Sequence, residues 1–147
     1  MNMIPCALDN LMTIAAHDSE VSRNPDDVPF DYHPVSSDVI AQALAILSKF
    51  SEKVLHCLIW VNPTPDGRIM LEIEYECHYL AITLEGVENS AEIYMVHQPL
   101  NGEDIGDILQ VGGSVEGLTS IIFAFINQLN LDLTLDSDKL KELCKSN

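Results

Sequence analysis

The feature that most constrains the fold is a turn at residues 62–67 followed by a strictly alternating segment at residues 68–76. The turn ends in Asp66-Gly67, a pair that supplies the positive φ needed at a tight hairpin bend. After it an apolar set of side chains alternates with a mainly acidic set: Ile69, Leu71, Ile73 and Tyr75, against Met70, Glu72, Glu74 and Glu76. Since successive side chains of a strand point to opposite faces, the segment predicts an antiparallel hairpin with one buried face and one acidic face.

The segments around this hairpin predict an α+β fold: a four-stranded antiparallel meander with helices before and after it packed on one face. The strands are expected at residues 54–61, 68–76, 79–84 and 91–96. Helices are expected at residues 38–50 and after Ser114, because apolar residues recur there at helical spacing behind a serine cap. The Gly-rich residues 98–113 predict a long loop with one helical turn at 105–109.

The two ends of the chain carry weaker patterns. Residues 1–16 predict a short helix, and the proline-rich residues 17–34 predict an extended connector. We therefore divide the chain into an N-terminal helix and connector, 1–35, and an α+β domain, 36–147. Near the C-terminus, alternating leucines predict a short strand at 131–135, and a helix is expected at 138–145.

The charge of the chain favours a basic protein as partner. Asp and Glu number 23 against 7 Lys and Arg, which gives a formal net charge of −16. Such a surface repels nucleic acid and anionic membranes and attracts basic proteins, such as a nuclease or an RNA-guided effector. Between Lys53 and Lys139 the sole basic residue is Arg68. The alternative is that the acidity serves only solubility.

The predicted partner-binding residues are carboxylates of the sheet and its loops: Glu72, Glu74, Glu76, Glu85, Glu88, Glu92 and Asp66. Like charges about 6.5–7 Å apart on one strand face repel each other unless they are solvated or matched by cations. The alternative for this row is a solvated face of a two-sided sheet. Trp60, Phe30 and Tyr32 are candidate anchors for a partner, although core packing is the default for Trp60.

The sequence predicts no metal, no cofactor and no catalytic residue. The pairs His56-Cys57 and Cys77-His78 hold zinc-ligand types, but adjacent residues on a strand point to opposite faces. Gly112-Gly113-Ser114 lacks the lysine of a phosphate-binding loop and predicts a Ser-capped helix start. An enzyme remains the third alternative, with Glu76, His78 or His97 as acid or base.

The cysteines and the hydropathy favour a cytoplasmic protein. Cys6, Cys57, Cys77 and Cys144 are scattered without a CxxC pair, and the N-terminus has no signal-peptide pattern. The longest apolar run, residues 118–126, is far short of the roughly 20 residues that span a bilayer. A homodimer is compatible with the sequence.

Residues 62–75, NPTPDGRIMLEIEY, resemble a hairpin of the form P-x-x-D-G-x-I-x-L-E-W in small uncharacterised bacterial proteins. Some of those proteins are linked to toxin–antitoxin or defence loci, and Ile73 stands where their pattern has Trp. The charge of the chain, together with this resemblance, favours an acidic, non-enzymatic inhibitor of a nucleic-acid-acting partner, of the immunity, antitoxin or anti-CRISPR type. The size and acidity also resemble class I type III secretion chaperones, so a secretion or assembly chaperone is the alternative.

Overall fold

The alternating segment after the Asp66-Gly67 turn is the second strand of an antiparallel meander. The computed structural model describes residues 7–23, 33–96, 107–131 and 139. Each strand pairs with the next along the chain, in the order β1-β2-β3-β4-β5. The elements are α1 Ala7–Arg23, α2 Ser37–Leu47, α3 Glu52–Cys57, β1 Ile59–Pro63, β2 Ile69–Tyr75, β3 His78–Leu84, β4 Ser90–Val96, β5 Asp107–Gly112 and α4 Val115–Gln128.

The α+β class and the antiparallel sheet are confirmed, but the predicted number of four strands is wrong. Residues 107–112, predicted as loop with a helical turn, form the fifth strand. It pairs with β4 in a register that sets Leu109 opposite Ile93 and Val111 opposite Ala91. Pairing with β4 therefore overrides the loop tendency of the surrounding glycines.

The predicted strand at residues 54–61 is also partly wrong, because α3 occupies its first half. The Ser51 hydroxyl accepts a hydrogen bond from the Val54 N–H and caps this helix. The strand begins only at Ile59 and runs to Pro63. Glu76, predicted at the end of β2, instead lies in the β2–β3 turn with a φ of 51°.

Helix α1 is longer than predicted and belongs to the same core as the sheet. It continues to Arg23, so residues 17–23 are helical and not part of an extended connector. The buried Asp18 carboxylate of this helix accepts a 2.7 Å hydrogen bond from the Val35 N–H. This bond links α1 to the segment that precedes α2. Its buried Ala7, Leu11 and Ile14 join the main core cluster.

Several predictions fall outside the described residues. These are the anchors Phe30 and Tyr32 and most of the C-terminal strand and helix expected at 131–135 and 138–145. Within the described parts of the chain, no helix is long and apolar enough to cross a bilayer.

The core lies between the helices and one face of the sheet. Alternate strand residues and the inner faces of the helices form one buried cluster. The strands contribute Ile59, Val61, Ile69, Leu71, Ile73, Leu80, Ile82, Leu84, Ala91 and Ile93, and α2 and α4 contribute Val39, Ala43, Ile46, Leu47, Leu118, Ile122, Phe125 and Ile126. Every strand residue of this cluster belongs to one face of the sheet, and burial of this apolar surface is the main stabilising term.

A buried amide joins α2 to two loops at one end of the sheet. Gln42 is 1% exposed. Its Oε1 accepts a hydrogen bond from the Gly86 N–H at 2.9 Å, and its Nε2 donates one to the Gly113 carbonyl at 2.7 Å. The side chain therefore satisfies two buried backbone groups that belong to the β3–β4 loop and to the β5–α4 connection.

We expect Gln42→Met to lower the free energy of unfolding by about 2–3 kcal/mol, because it preserves side-chain volume and leaves two buried backbone groups unsatisfied. Gln110→Met, at an exposed position of β5, is the matched control and should change stability by less than about 0.5 kcal/mol. Urea unfolding followed by circular dichroism measures both. Equal stabilities of the two variants would contradict the bridging role of Gln42.

Candidate partner-binding face

The face of the sheet opposite the helices is the candidate site, and we refer to it as the outer face. The register of the strands places one side-chain set there: Trp60, Asn62, Met70, Glu72, Glu74, Tyr79, Ala81, Thr83, Glu92, Tyr94, Val96, Ile108 and Gln110. None of these residues belongs to the core cluster that the described helices share with the sheet. The described helices therefore do not pack on the outer face, although Ala81, Thr83 and Val96 within it are buried.

The outer face carries acidic charge. Glu72 and Glu74 lie on β2, as the alternating pattern predicted, and Glu92 lies on β4. No Lys or Arg is present among the outer-face residues of the described strands. The face is accordingly a surface that attracts cations.

Neighbouring polar groups hold the Glu72 carboxylate in place. The Asn62 side-chain amide donates to Glu72 Oε1 at 2.8 Å, and the Tyr79 hydroxyl donates to Oε2 at 2.7 Å. The Tyr79 ring in turn meets the Tyr94 ring edge-on, with centroids 5.9 Å apart. The carboxylate is thus oriented before any partner arrives.

The prediction that Trp60 packs in the core is wrong. Trp60 pairs with Glu72 across β1 and β2 and is 47% exposed on the outer face, whereas its neighbours Ile59 and Val61 point into the core. Ile108 is 65% exposed on the same face. Two large apolar side chains are therefore exposed on the two edge strands, on either side of the acidic centre.

Burial, followed by the hydrogen bond to Glu72 and the negative charge of Glu72 and Glu74, raises the pKa of the Tyr79 phenol well above its ordinary value. The folded-state pKa then lies above that of the unfolded chain, near 10. The resulting stability is present in full below about pH 10 and is lost as the pH rises from there toward the folded-state pKa.

We expect wild-type stability to fall more steeply above about pH 10 than that of Tyr79→Phe, measured by urea unfolding at several pH values. Parallel pH profiles would contradict the coupling of Tyr79 to Glu72.

Two of the predicted partner-binding acids are paired within the protein. Arg68 contacts the Asp66 carboxylate at 2.9 Å and the Glu85 carboxylate at 3.0 Å. Hydrogen bonds from Thr64 first and Arg68 second lower the pKa of Asp66 below its ordinary value. This cluster joins two loops at the end of the sheet where Gln42 lies, so Asp66 and Glu85 are less available to a partner than the outer-face acids.

The remaining predicted acids lie in turns. Glu76 is exposed in the β2–β3 turn, and Glu88 is exposed in the β3–β4 turn at the opposite end of the sheet. The structure thus brings Glu72, Glu74 and Glu76 together along one strand and its turn, with Glu92 on the same face. It does not bring all seven predicted carboxylates to one place.

A cleft of about 320 Å³ lies at the β2–β3 turn end of the outer face. Its lining combines carboxylates and aromatic rings: Glu74, Glu76, Cys77, His78, Tyr79, Tyr94 and Val96. The local sequence pattern does not mark Tyr79 and Tyr94 as site residues. A two-residue hairpin loop at Glu76-Cys77 places Tyr79 opposite Glu74. Recognition of this loop in the sequence would have identified Tyr79 as a neighbour of the acidic row.

Glu76, Cys77 and His78 line this cleft, but the two His-Cys pairs lie on different elements of the fold. His56 and Cys57 lie on α3, where Cys57 is buried, and Cys77 is exposed in the β2–β3 turn. The described residues contain no group of three or more His, Cys, Asp or Glu placed to hold a metal ion. The His78 ring stacks edge-on against Phe125 on the core side, and His97 lies outside the described residues.

The predicted serine cap before α4 is confirmed. The Ser114 hydroxyl accepts a hydrogen bond from the Gly117 N–H at 3.1 Å. This is the contact of an ordinary helix N-terminus.

No protein-family model, curated protein or solved structure shows significant similarity to the chain.

Proposed function

We propose that the protein is a non-enzymatic inhibitor that binds the basic, nucleic-acid-binding surface of a partner protein through the outer face. One observation supports this proposal above all. A sheet face without helix packing carries three carboxylates, no lysine or arginine, and exposed Trp60 within the described chain. Basic nucleic-acid-binding surfaces are its electrostatic complement.

The charge of the whole chain supports the same partner class. A net charge of −16 steers a basic protein toward the complex, and such steering raises association rates by about 10–10³-fold at low ionic strength. Inhibition follows because the partner's nucleic-acid-binding groove cannot accept the phosphates of a nucleic acid while the outer face occupies it. The proposal includes a cytoplasmic location, which the exposed free thiol of Cys77 favours.

A chaperone is the second candidate function, and one groove favours it. The groove lies between α1 and α2, has a volume of about 610 Å³ and is lined mainly by apolar side chains, including Val35, Ile40 and Leu44. An apolar segment of a client protein would fit there. Salt would strengthen or leave unchanged such a contact, whereas it weakens binding through the outer face.

Affinity capture from host lysate, loaded at low salt and washed at high salt, tests the proposal. The expected result is a basic protein that high salt releases and that nucleic acid displaces from the immobilised chain. A captured protein that resists both salt and nucleic acid would support the chaperone and contradict the inhibitor.

A further inference from the structure

We infer that the cleft at the β2–β3 turn end of the outer face receives a single arginine side chain of the partner. This inference rests on the proposed function, because it names the group that one part of the outer face recognises. The groups that carry it are Glu74, Glu76, Tyr79 and Tyr94.

The shape of the cleft suits one long side chain. Its volume of about 320 Å³ is at the lower end of the range of pockets that hold small molecules, about 300–1,000 Å³. Two tyrosine rings with an interplanar angle of 63° form adjacent walls. Tyr79 lies directly across the strand pair from Glu74, so an aromatic wall and a carboxylate stand side by side.

The walls are fixed before binding. The Tyr79 hydroxyl donates to Glu72, which itself accepts from Asn62, so the ring has a defined position. Tyr94 packs against that ring. A side chain entering the cleft therefore meets an ordered surface and loses little of its binding energy to rearrangement.

The chemistry of the cleft favours a cation. Within the described chain, neither Glu74 nor Glu76 lies in ion-pair contact with a basic residue. Their charges lie beside tyrosine rings, whose faces attract cations. A positively charged side chain would satisfy both kinds of group at once.

Arginine fits this combination better than lysine. The planar guanidinium stacks on aromatic faces and presents several N–H donors in a fixed fork to carboxylates. The ammonium of lysine is compact and strongly hydrated, and it makes neither contact as well. Lysine would therefore be attracted to the outer face by charge alone, without a preference for the cleft.

Calorimetric titration with an oligo-arginine peptide and an oligo-lysine peptide of equal length tests this inference. We expect the wild-type protein to bind the arginine peptide about fivefold more tightly. Tyr94→Leu should reduce that ratio to about one, whereas Tyr94→Phe, the matched control that keeps the ring, should retain it. Circular dichroism and thermal unfolding verify that the variants are folded.

A second variant keeps the test independent of the tyrosines. Glu74→Gln should lower affinity for the arginine peptide about threefold, and Glu88→Gln, which removes the same charge at the opposite end of the sheet, should lower it by less. Equal affinities for the two peptides, or an arginine preference that survives Tyr94→Leu, would overturn the arginine cleft and leave the outer face as a general cation-binding surface. Failure of the wild-type protein to bind either peptide at low salt would overturn the proposed function as well.

Discussion

Gly113→Ala is expected to destabilise the protein by about 3 kcal/mol or more, or to prevent folding. A Cβ atom at this position would lie 2.2 Å from the Asn89 carbonyl oxygen and 2.6 Å from the Gly86 carbonyl oxygen. Both are backbone atoms of the β3–β4 loop, so relief requires movement of the chain and not of a flexible side chain. The same movement would disturb the two hydrogen bonds of Gln42.

Gly112→Ala is the matched control for this substitution. An added Cβ at Gly112 meets no atom within 4 Å, although the two glycines are adjacent in sequence. We expect a stability change within about 0.5 kcal/mol of wild type. Urea unfolding monitored by circular dichroism gives both values, and a Gly113→Ala variant as stable as Gly112→Ala would show that the close approach of the two loops is not required.

Reversal of two outer-face charges, Glu74→Lys with Glu92→Lys, is expected to weaken partner binding about 100-fold or more at low salt. Both positions face a basic partner in the proposed complex, where like charges in contact cost several kcal/mol. The fold should persist, because neither carboxylate belongs to the core, and Glu72 keeps its bonds to Asn62 and Tyr79. The measurement is a titration of the captured partner.

Glu88→Lys with Glu116→Lys changes the net charge of the chain by the same amount. These side chains are exposed in the β3–β4 turn and in the first turn of α4, away from the outer face. Only the long-range attraction should fall, so the loss of affinity should be much smaller and should disappear at high salt. Equal losses for the two double variants would show that bulk charge, and not the outer face, determines binding.

The parts of the fold that local signals encode were predictable. Asp66-Gly67 sets the β1–β2 hairpin, alternation defines β2, and the hydroxyls of Ser36 and Ser114 cap α2 and α4. Helix α3 and strand β5 were not predictable in this way. Residues 54–61 are apolar without a clear period, and residues 107–112 become a strand only through pairing with β4.

Only those parts of the candidate site that lie on a single strand were predictable from the sequence. Glu72 and Glu74 share a face because they are two residues apart, and that placement needs no knowledge of other strands. The position of Trp60 depends on its register against Glu72, since its neighbours on both sides are apolar. The pairing of Arg68 with Glu85, 17 residues away, depends on two loops meeting at one end of the sheet.

In the proposed complex, the outer face occupies the nucleic-acid-binding surface of a basic partner. The most direct measurement is competition, in which labelled nucleic acid bound to the captured partner is titrated with this protein and followed by fluorescence anisotropy. Our account predicts that the wild-type protein displaces the nucleic acid stoichiometrically and that Glu74→Lys with Glu92→Lys does not. A ternary complex, with nucleic acid and this protein bound to the partner together, would contradict the account.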